Sequence, residues 1–587
     1  MTNSLTILLL LVTIVNSIYA QYPKYSGTER PECVDLQDSD FKMTTLFKFK
    51  DDPSLKEPMR MDFYQDDSGN VNVYFIERYG KLKYYDARTK KLSLVGRLDV
   101  VASGNDEAGL IGMALDPDFK NNRLVYFYWT PVAPSVYRLS RFKVLGDSNK
   151  LDLTSEKVII DIPDTRIGAG GTKGGYFHNG GSLFFDNKGD LWWTIGEHDH
   201  CNAIPEIYHN TTDKECSGED NSSDAHSWYG SIVRIHPESD GSYTIPDNNF
   251  GEFWSEKFAE EGRMTLSQKY TDTSLVRPEI YAKGFRNPMS VSVDPVTGWA
   301  AVSECGAQCH KVDPAYYCPT DGLSEKHMLI TEPSFQGWPY FHGNNHPFAM
   351  NASDEKNALK PVNNSPFNQG VDTLPPAIPG TYVYGAPKWG DNICSVGGTF
   401  FRYNWENPSD ISLPPHFDGV MISSDLNTGW KRAIEIDSAT GDFVKVSPDL
   451  WTSLLDTTIN ADLGKEAGNV MDLRHGPDGA LYLLNYSQMQ YLPDKTTGLY
   501  RIEYHGDCRI TPVKRYTPKQ RNVIKAGFID VQGEYRAEFF KINGQKVYTF
   551  NGFDKEKLPL DHLPSSGLYK VRISTNNIIV NSVFMKM

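Results

Sequence analysis

One pattern recurs along this chain and limits its fold more than any other feature. An alternating apolar stretch runs into a turn built on Asp with Pro, Asn or Gly, and a second alternating stretch follows. It reads "MALDPDFKNNRLVYFYWT" from Met113 to Thr130 and "SLFFDNKGDLWWTIGE" from Ser182 to Glu197. It returns as "SVSVDPVTGWAAVSE" from Ser290 to Glu304 and "DLRHGPDGALYLLNY" from Asp472 to Tyr486. Looser copies span Met61 to Asp86 and Phe417 to Asp437. Period-two alternation gives each stretch one apolar face, and Asp, Asn and Gly close the hairpin. A lone hairpin cannot bury both faces, whereas four-stranded sheets packed radially can, and they leave only short protected edges. About six such units between residues 44 and 505 predict an all-β fold, a six-bladed β-propeller. The spacing exceeds a minimal blade, so long loops decorate one face. The stretches from Cys201 to Leu266 and from Cys305 to Gly380 are the obvious insertions. Loops held at one end of a rigid scaffold are where function concentrates.

The two ends of the chain read differently. Leu8 to Val15 is an apolar core and Ala20 precedes Gln21, which predicts an export signal over residues 1–20 and an extension over 21–43. The apolar run is too short to span a membrane comfortably, and no later segment qualifies. The expected location is therefore secreted, whether extracellular, periplasmic or on the cell surface. After Cys508 comes "RITPVKRYTPKQRN", within a Pro-rich and basic linker over residues 506–525. Residues 526–587 alternate like the strands of a small C-terminal β-sandwich. The 48 glycines and 35 prolines fit a chain with many turns, and the net charge of −15 without a basic stripe excludes a nucleic-acid partner.

Eight cysteines in an exported chain point to disulfides. Cys305, Cys309 and Cys318 cluster with His310, so a zinc site is the alternative, although no paired C-x-x-C spacing supports it. Five N-x-S/T sequons, at Asn210, Asn221, Asn351, Asn363 and Asn485, mark surface loops if the host glycosylates, and such triplets also arise by chance. His178, in "GGYFHNGGSLFF", sits on a glycine-flanked turn before an alternating strand. Imidazole titrates near neutral pH, so His178 is either a base at the rim of a sheet or a hydrogen-bonded loop residue.

Four stretches carry a family resemblance: "NDEAGLIGMALDPDF" (Asn105 to Phe119), "FHNGGSLFFDNKGDLWWTIGE" (Phe177 to Glu197), "KGFRNPMSVSVDP" (Lys283 to Pro295) and "FQGWPYFHG" (Phe335 to Gly343). In this order the chain resembles the soluble quinoprotein glucose dehydrogenases and the aldose sugar (glucose/sorbosone) dehydrogenases over roughly residues 44–505. The resemblance implies a propeller that holds pyrroloquinoline quinone (PQQ) and calcium (Ca2+), and that oxidises the anomeric carbon of an aldose or oligosaccharide. It places His178 as the base. It puts Glu107, Arg286, Asn287 and, by a looser alignment, Lys431 beside the cofactor, and the backbone of Gly337 and Pro339 at the metal. The tail, through "INGQKV" and "LDHLPSSGLYKV", resembles the C-terminal sorting domain of type IX secretion cargo. The alternative is an accessory, sugar-binding β-sandwich.

The chain also departs from the family. Where the family has an R-x-R pair for the cofactor's carboxylates, "GNVMDLRHGPDG" has Asn469 and Met471, and Phe177 replaces an acidic residue. Each lost arginine removes charge-assisted bonds of roughly 1.5–3 kcal/mol. The alternative is a non-catalytic propeller that binds a glycan or protein. A hydrolytic propeller would need inward carboxylates around a central calcium, and the sequence offers no convincing set. Trp338, Tyr340, Phe341 and Trp389 either stack on sugar rings or pack their own loops. No C-x-x-C-H haem motif is present, so a dehydrogenase would pass electrons to an external acceptor. The sequence carries no signal for the oligomeric state.

Overall fold

The computed structural model describes residues 36–102, 104, 107–164, 177–198, 221–306, 324–338, 341–342, 346–347, 381–385, 394–426, 429–451, 454, 470–487, 493–508, 524–525, 528–541, 546–557, 563, 567–574 and 579–586. The leader expected over residues 1–20 lies outside them. The chain divides into two compact units, one of residues 1–404 with 408–509 and the other of residues 405–407 with 510–587.

Among the described residues the first unit holds six sheets of four or more strands, as expected of an all-β chain, besides a two-stranded pairing of Phe341–His342 with His346–Pro347. Sheet I orders Pro58–Gln65, Val71–Glu77, Lys81–Asp86 and Lys91–Arg97. Sheet II orders Leu110–Leu115, Leu124–Trp129, Val136–Leu145 and Lys150–Pro163. Sheet III runs through Leu183–Phe185, Leu191–Ile195, Ser231–Pro237 and Ile280–Lys283, with the short parallel strand Ser334–Phe335 beyond. Sheet IV orders Asn287–Val293, Ala300–Cys305, Ser324–Ile330 and Thr381–Gly385. Sheet V orders Ser395–Phe400, Met421–Asp425, Lys431–Ile436 and Phe443–Val446. Sheet VI takes three strands from the end of the unit, Val470–His475, Leu481–Asn485 and Gly498–Tyr504, and its fourth from the beginning, Phe41–Lys48. The first strand of each sheet packs against the first strand of the next, and that of sheet VI against that of sheet I, which closes a ring.

The recurring Asp has one job. Asp66 Oδ1 accepts the amides of Ser68 and Asn70, and Asp186 Oδ1 those of Lys188 and Asp190. Asp294 accepts Val296 and Thr297 N–H, and Asp478 accepts Ala480 N–H. Each carboxylate thus stands in for missing backbone acceptors in its turn. Four of these turns close through a glycine at positive φ, namely Gly69, Gly189, Gly298 and Gly479. One repeat differs in phase from the rest. The copy from Phe417 to Asp437 forms the second and third strands of sheet V, because the first is Ser395–Phe400. The helices Phe250–Glu260 and Met264–Tyr270 fall around the end of the first predicted insertion, and they bury Phe250, Trp254, Phe258 and Tyr270 in an apolar cluster of their own.

The second unit holds one five-stranded sheet in which Phe528–Lys541 pairs with Lys546–Lys557 and with Gly567–Ser574. Tyr535, Ala537, Phe539, Tyr569, Val571 and Ile573 form its buried cluster.

Closure of the ring can be tested at two residues. Phe41, on the closing strand, packs its ring against Phe417, Trp451 and Tyr504. Phe41→Ala is expected to cost about 3–5 kcal/mol in chemical denaturation. His327 lies buried between sheets IV and V, its Nδ1 3.0 Å from Ser303 Oγ and 2.9 Å from Ser423 Oγ, and burial pulls its pKa down to about 3. The unfolded chain protonates this imidazole near its ordinary value of about 6.5 while the folded chain does not. Stability from this group is therefore present above about pH 6.5 and falls as the pH drops toward 3, at about 1.4 kcal/mol per pH unit. Stability measured from pH 7 to 4 in His327→Gln should lose that component of the slope.

Candidate active site

All six inner strands begin at the same end of the ring, and a cavity of about 290 Å³ opens there. Its lining includes Glu107, His178, Arg286 and Asn287, so the structure brings four of the predicted site residues together. Met59, Met289 and Met471, Ile111 and Leu426 make much of the rest apolar, and the disulfide Cys305–Cys394 also reaches the lining.

His178 is presented by a strained turn. It adopts φ 54°, and Gly180 and Gly181 follow at φ 68° and 108°. Two close approaches fix this turn against its own hairpin. His198 N–H donates to the His178 carbonyl at 3.2 Å, and a Cβ on Gly196 would sit 1.8 Å from that same oxygen. The sequence G-E at the end of the second strand is thus required by the backbone path of the histidine turn. The next residue, Glu197, orients the imidazole, with Oε1 3.1 Å from His178 Nδ1. Its other oxygen accepts a hydrogen bond from Trp338 Nε1. Arg286 Nε lies 3.7 Å from Oε1, and Asn221 Nδ2 donates to the Glu197 carbonyl at 3.0 Å. The carboxylate is only 3% exposed, so its solvation comes from these partners rather than from water.

Arg286 is anchored by its Nη1, which donates to Gly306 O at 2.9 Å, just beyond the disulfide cysteine Cys305. Asn287 accepts Gly180 N–H at 2.9 Å through Oδ1, which leaves its amide NH2 as the hydrogen-bearing group. Asn179 N–H donates to Glu107 Oε2 at 3.3 Å. Arg78 also reaches the cavity, with Nε 2.5 Å from Glu57 and Nη1 2.9 Å from Ala108 O. Behind Glu197, Lys283 is fully buried. Its Nζ donates to the carbonyls of Asn221, Ser227 and Tyr229 at 3.0, 3.1 and 2.6 Å and to Ser231 Oγ at 3.0 Å. Burial pulls its pKa down to about 7.

Other expectations are corrected or lie elsewhere. Lys431 is not among the cavity residues. It is buried in sheet V, donates to Gly429 O at 2.6 Å, and has its pKa pulled by burial to about 7. Gly337 is not in the lining either, for its loop is pinned to sheet III through Trp338 N–H on Gly284 O. Pro339, Tyr340, Trp389 and Asn469 lie outside the described residues. Trp338 is 3% exposed and packs behind Glu197, so it is no stacking platform for a sugar. Met471 does line the cavity, with no charge to offer. Cys305 is spent in a disulfide with Cys394, which removes it from any zinc site. Two sequons are inaccessible: Asn221 and Asn485 are 8% and 0% exposed. Among the described residues, no three His, Cys, Asp or Glu side chains are placed to hold a metal ion. Sequence reasoning missed Glu197, Arg78 and Lys283 as site residues. For Glu197 the signal was available, since a carboxylate following a glycine just past the largely apolar second strand of sheet III has no reason to be buried unless it is paired.

Residues 55–257 match the sequence model of the family described as Glucose / Sorbosone dehydrogenase. The match covers two of the four stretches that carried the motif resemblance, Asn105 to Phe119 and Phe177 to Glu197, and points to the same family. An uncharacterized protein of Synechocystis sp. is 23% identical over 424 residues, 71% of this chain and 79% of that protein. Among solved structures, a glucose dehydrogenase from Thermus thermophilus is similar at a TM-score of 0.48 and 20% identity, covering 79% of this chain and 99% of that one. The PQQ-bound aldose sugar dehydrogenase of Streptomyces coelicolor is similar at a TM-score of 0.45 and 16% identity, covering 79% and 98%.

Lys283→Met removes the only donor that these four acceptors share. Amide exchange over residues 221–231 is expected to quicken about tenfold or more. Unchanged exchange would show that the loop stands without the clamp.

Proposed function

We propose that the first unit is a six-bladed propeller acting as a PQQ-dependent sugar dehydrogenase, with His178 as the base. The observation that carries this is the coupling of His178 to buried Glu197 inside an axial cavity that also presents Arg286 and Asn287. The lining suits a flat quinone. Three methionines give polarisable apolar contact to an aromatic ring, and Arg78, Arg286 and Asn287 give donors for its oxygens and carboxylates. When bound, PQQ supplies an acceptor for two electrons as hydride. The chain's own residues do the rest. Glu197 holds the His178 Nδ1–H, so the basic lone pair is on Nε2, the atom that takes the proton of a sugar hydroxyl. Arg286 and Asn287 would hold the quinone through donors to its oxygens. Calcium is implied by the family resemblance, but among the described residues no three His, Cys, Asp or Glu side chains are placed to hold it, so no step is derived through it.

The early apolar segment and the Cys305–Cys394 disulfide support an exported protein, with residues 526–587 as a sorting or accessory domain. Electrons then leave to an external acceptor. Met471 favours a second reading, in which the ring binds a glycan or protein without turnover.

Calorimetry with PQQ, with and without calcium, followed by dye-linked oxidation of an aldose panel, separates the two. The dehydrogenase reading expects saturable PQQ binding, and turnover that falls about 10²–10⁴-fold in His178→Ala. In Glu197→Gln the imidazole loses its charged partner, and the pH–rate profile should shift to lower pH on its acidic limb. Absence of PQQ binding at high micromolar concentration would leave the binding reading.

A further inference from the structure

Below the cavity the axis is not open. A second chamber of about 100 Å³ follows, lined by the inner strands of sheets I, III, IV, V and VI. Met59 lines the first and Asp62 the second; Met289 lines the first and Ser290 the second; Met471 lines the first and Asp472 the second. Between them lies Arg60, 1% exposed. Its Nη1 donates to the carbonyls of Met59 and Met471, both at 2.9 Å, and its Nη2 to that of Met289 at 2.6 Å. One guanidinium therefore ties three inner strands, from sheets I, IV and VI, at the point where the two spaces meet.

The charges are unevenly placed. The lining arginines each face a carboxylate, Arg78 with Glu57 at 2.5 Å and Arg286 with Glu197 at 3.7 Å. Each of Arg60's hydrogen bonds goes to a neutral carbonyl. The charged groups that act on Arg60 are on the far side, where Asp472 favours its charge and Arg474 opposes it. Asp62 and Asp472 line the chamber, and Asp472 is shared with Arg474 at 3.2 Å. Burial draws the Arg60 pKa down to about 10, which leaves the group charged at neutral pH. The result is a buried positive charge held against the methionines, with Asp62, Asp472 and Arg474 in the chamber beyond it.

We propose that Arg60 makes this cavity select a flat anion over its neutral isostere, supplying from below the positive potential that Met471 does not supply from the wall. The inference concerns the same cavity as the proposed function, and deepens that reading by naming the residue that recognises the ligand's charge. It also identifies Arg60 as a positioning residue that touches no ligand, since it lies outside the lining.

The test uses benzene-1,3,5-tricarboxylate and the uncharged benzene-1,3,5-tricarboxamide as probes, titrated into the full chain by calorimetry at low salt. The wild type is expected to bind the tricarboxylate about tenfold or more tightly than the amide. Arg60→Gln, which keeps donors for the carbonyls but no charge, should erase the preference, and Arg60→Lys should keep it. No measurable tricarboxylate binding, no preference in the wild type, or a preference intact in folded Arg60→Gln overturns the proposal. Loss of the preference in both variants assigns the effect to the shape of the staple and also overturns it. If Arg60→Gln does not fold, the doubly substituted Arg78→Gln, Arg286→Gln protein decides: a surviving preference supports Arg60, and its disappearance contradicts it. PQQ titrated in parallel keeps the two claims apart, because a chain that selects the tricarboxylate but ignores PQQ loses the dehydrogenase reading and retains this one.

Discussion

The mouth of the ring is organised around one buried carboxylate. Glu197 contacts His178, Arg286 and Trp338, which come from a turn, the start of an inner strand and a loop beyond the outer edge of sheet III. A carboxylate this deep has little water to lean on, so its solvation comes from these three side chains, and each of them is in turn fixed by it. The backbone is committed to the same arrangement. Gly196 lets the strand pass against the His178 carbonyl, and Glu197 N–H bonds to Arg286 O at 2.8 Å. Imidazole, carboxylate and guanidinium are therefore one unit.

Outside that unit, the site is stabilised by groups that do not reach it. Lys283 gathers the carbonyls of the loop that carries Asn221, and Asn221 braces the backbone of Glu197. Arg60 joins three strands beneath the methionines. Both groups donate to backbone carbonyls rather than to direct carboxylate partners, a form of support that holds geometry.

Much of the fold was legible because its cause is local. The turn aspartates and the glycines after them make each hairpin out of adjacent residues, so the repeat is written in the chain. The phase of the copy from Phe417 to Asp437 was not legible, since the second hairpin of a sheet uses the same turn chemistry as the first. The closing strand Phe41–Lys48 was hidden for a different reason: its partner, Gly498–Tyr504, lies at the other end of the unit. At the site, His178, Arg286 and Asn287 could be read because the chain keeps them in motifs with glycine and proline. Arg60 could not, since a charge inside an apolar strand makes sense only when the carbonyls of two distant strands converge on it beside that of Met59. Lys431 misled because a lysine in a strand says nothing of which way it points, and here it turns into sheet V.

If a quinone and a sugar meet in the axial cavity beside His178, a crystal structure of the full chain grown with PQQ and calcium will show it. Quinone density is expected in the cavity, against Met59, Met289 and Met471 and within reach of His178 and Arg286. An empty cavity at saturating PQQ, or density for it elsewhere on the ring, would contradict that assignment.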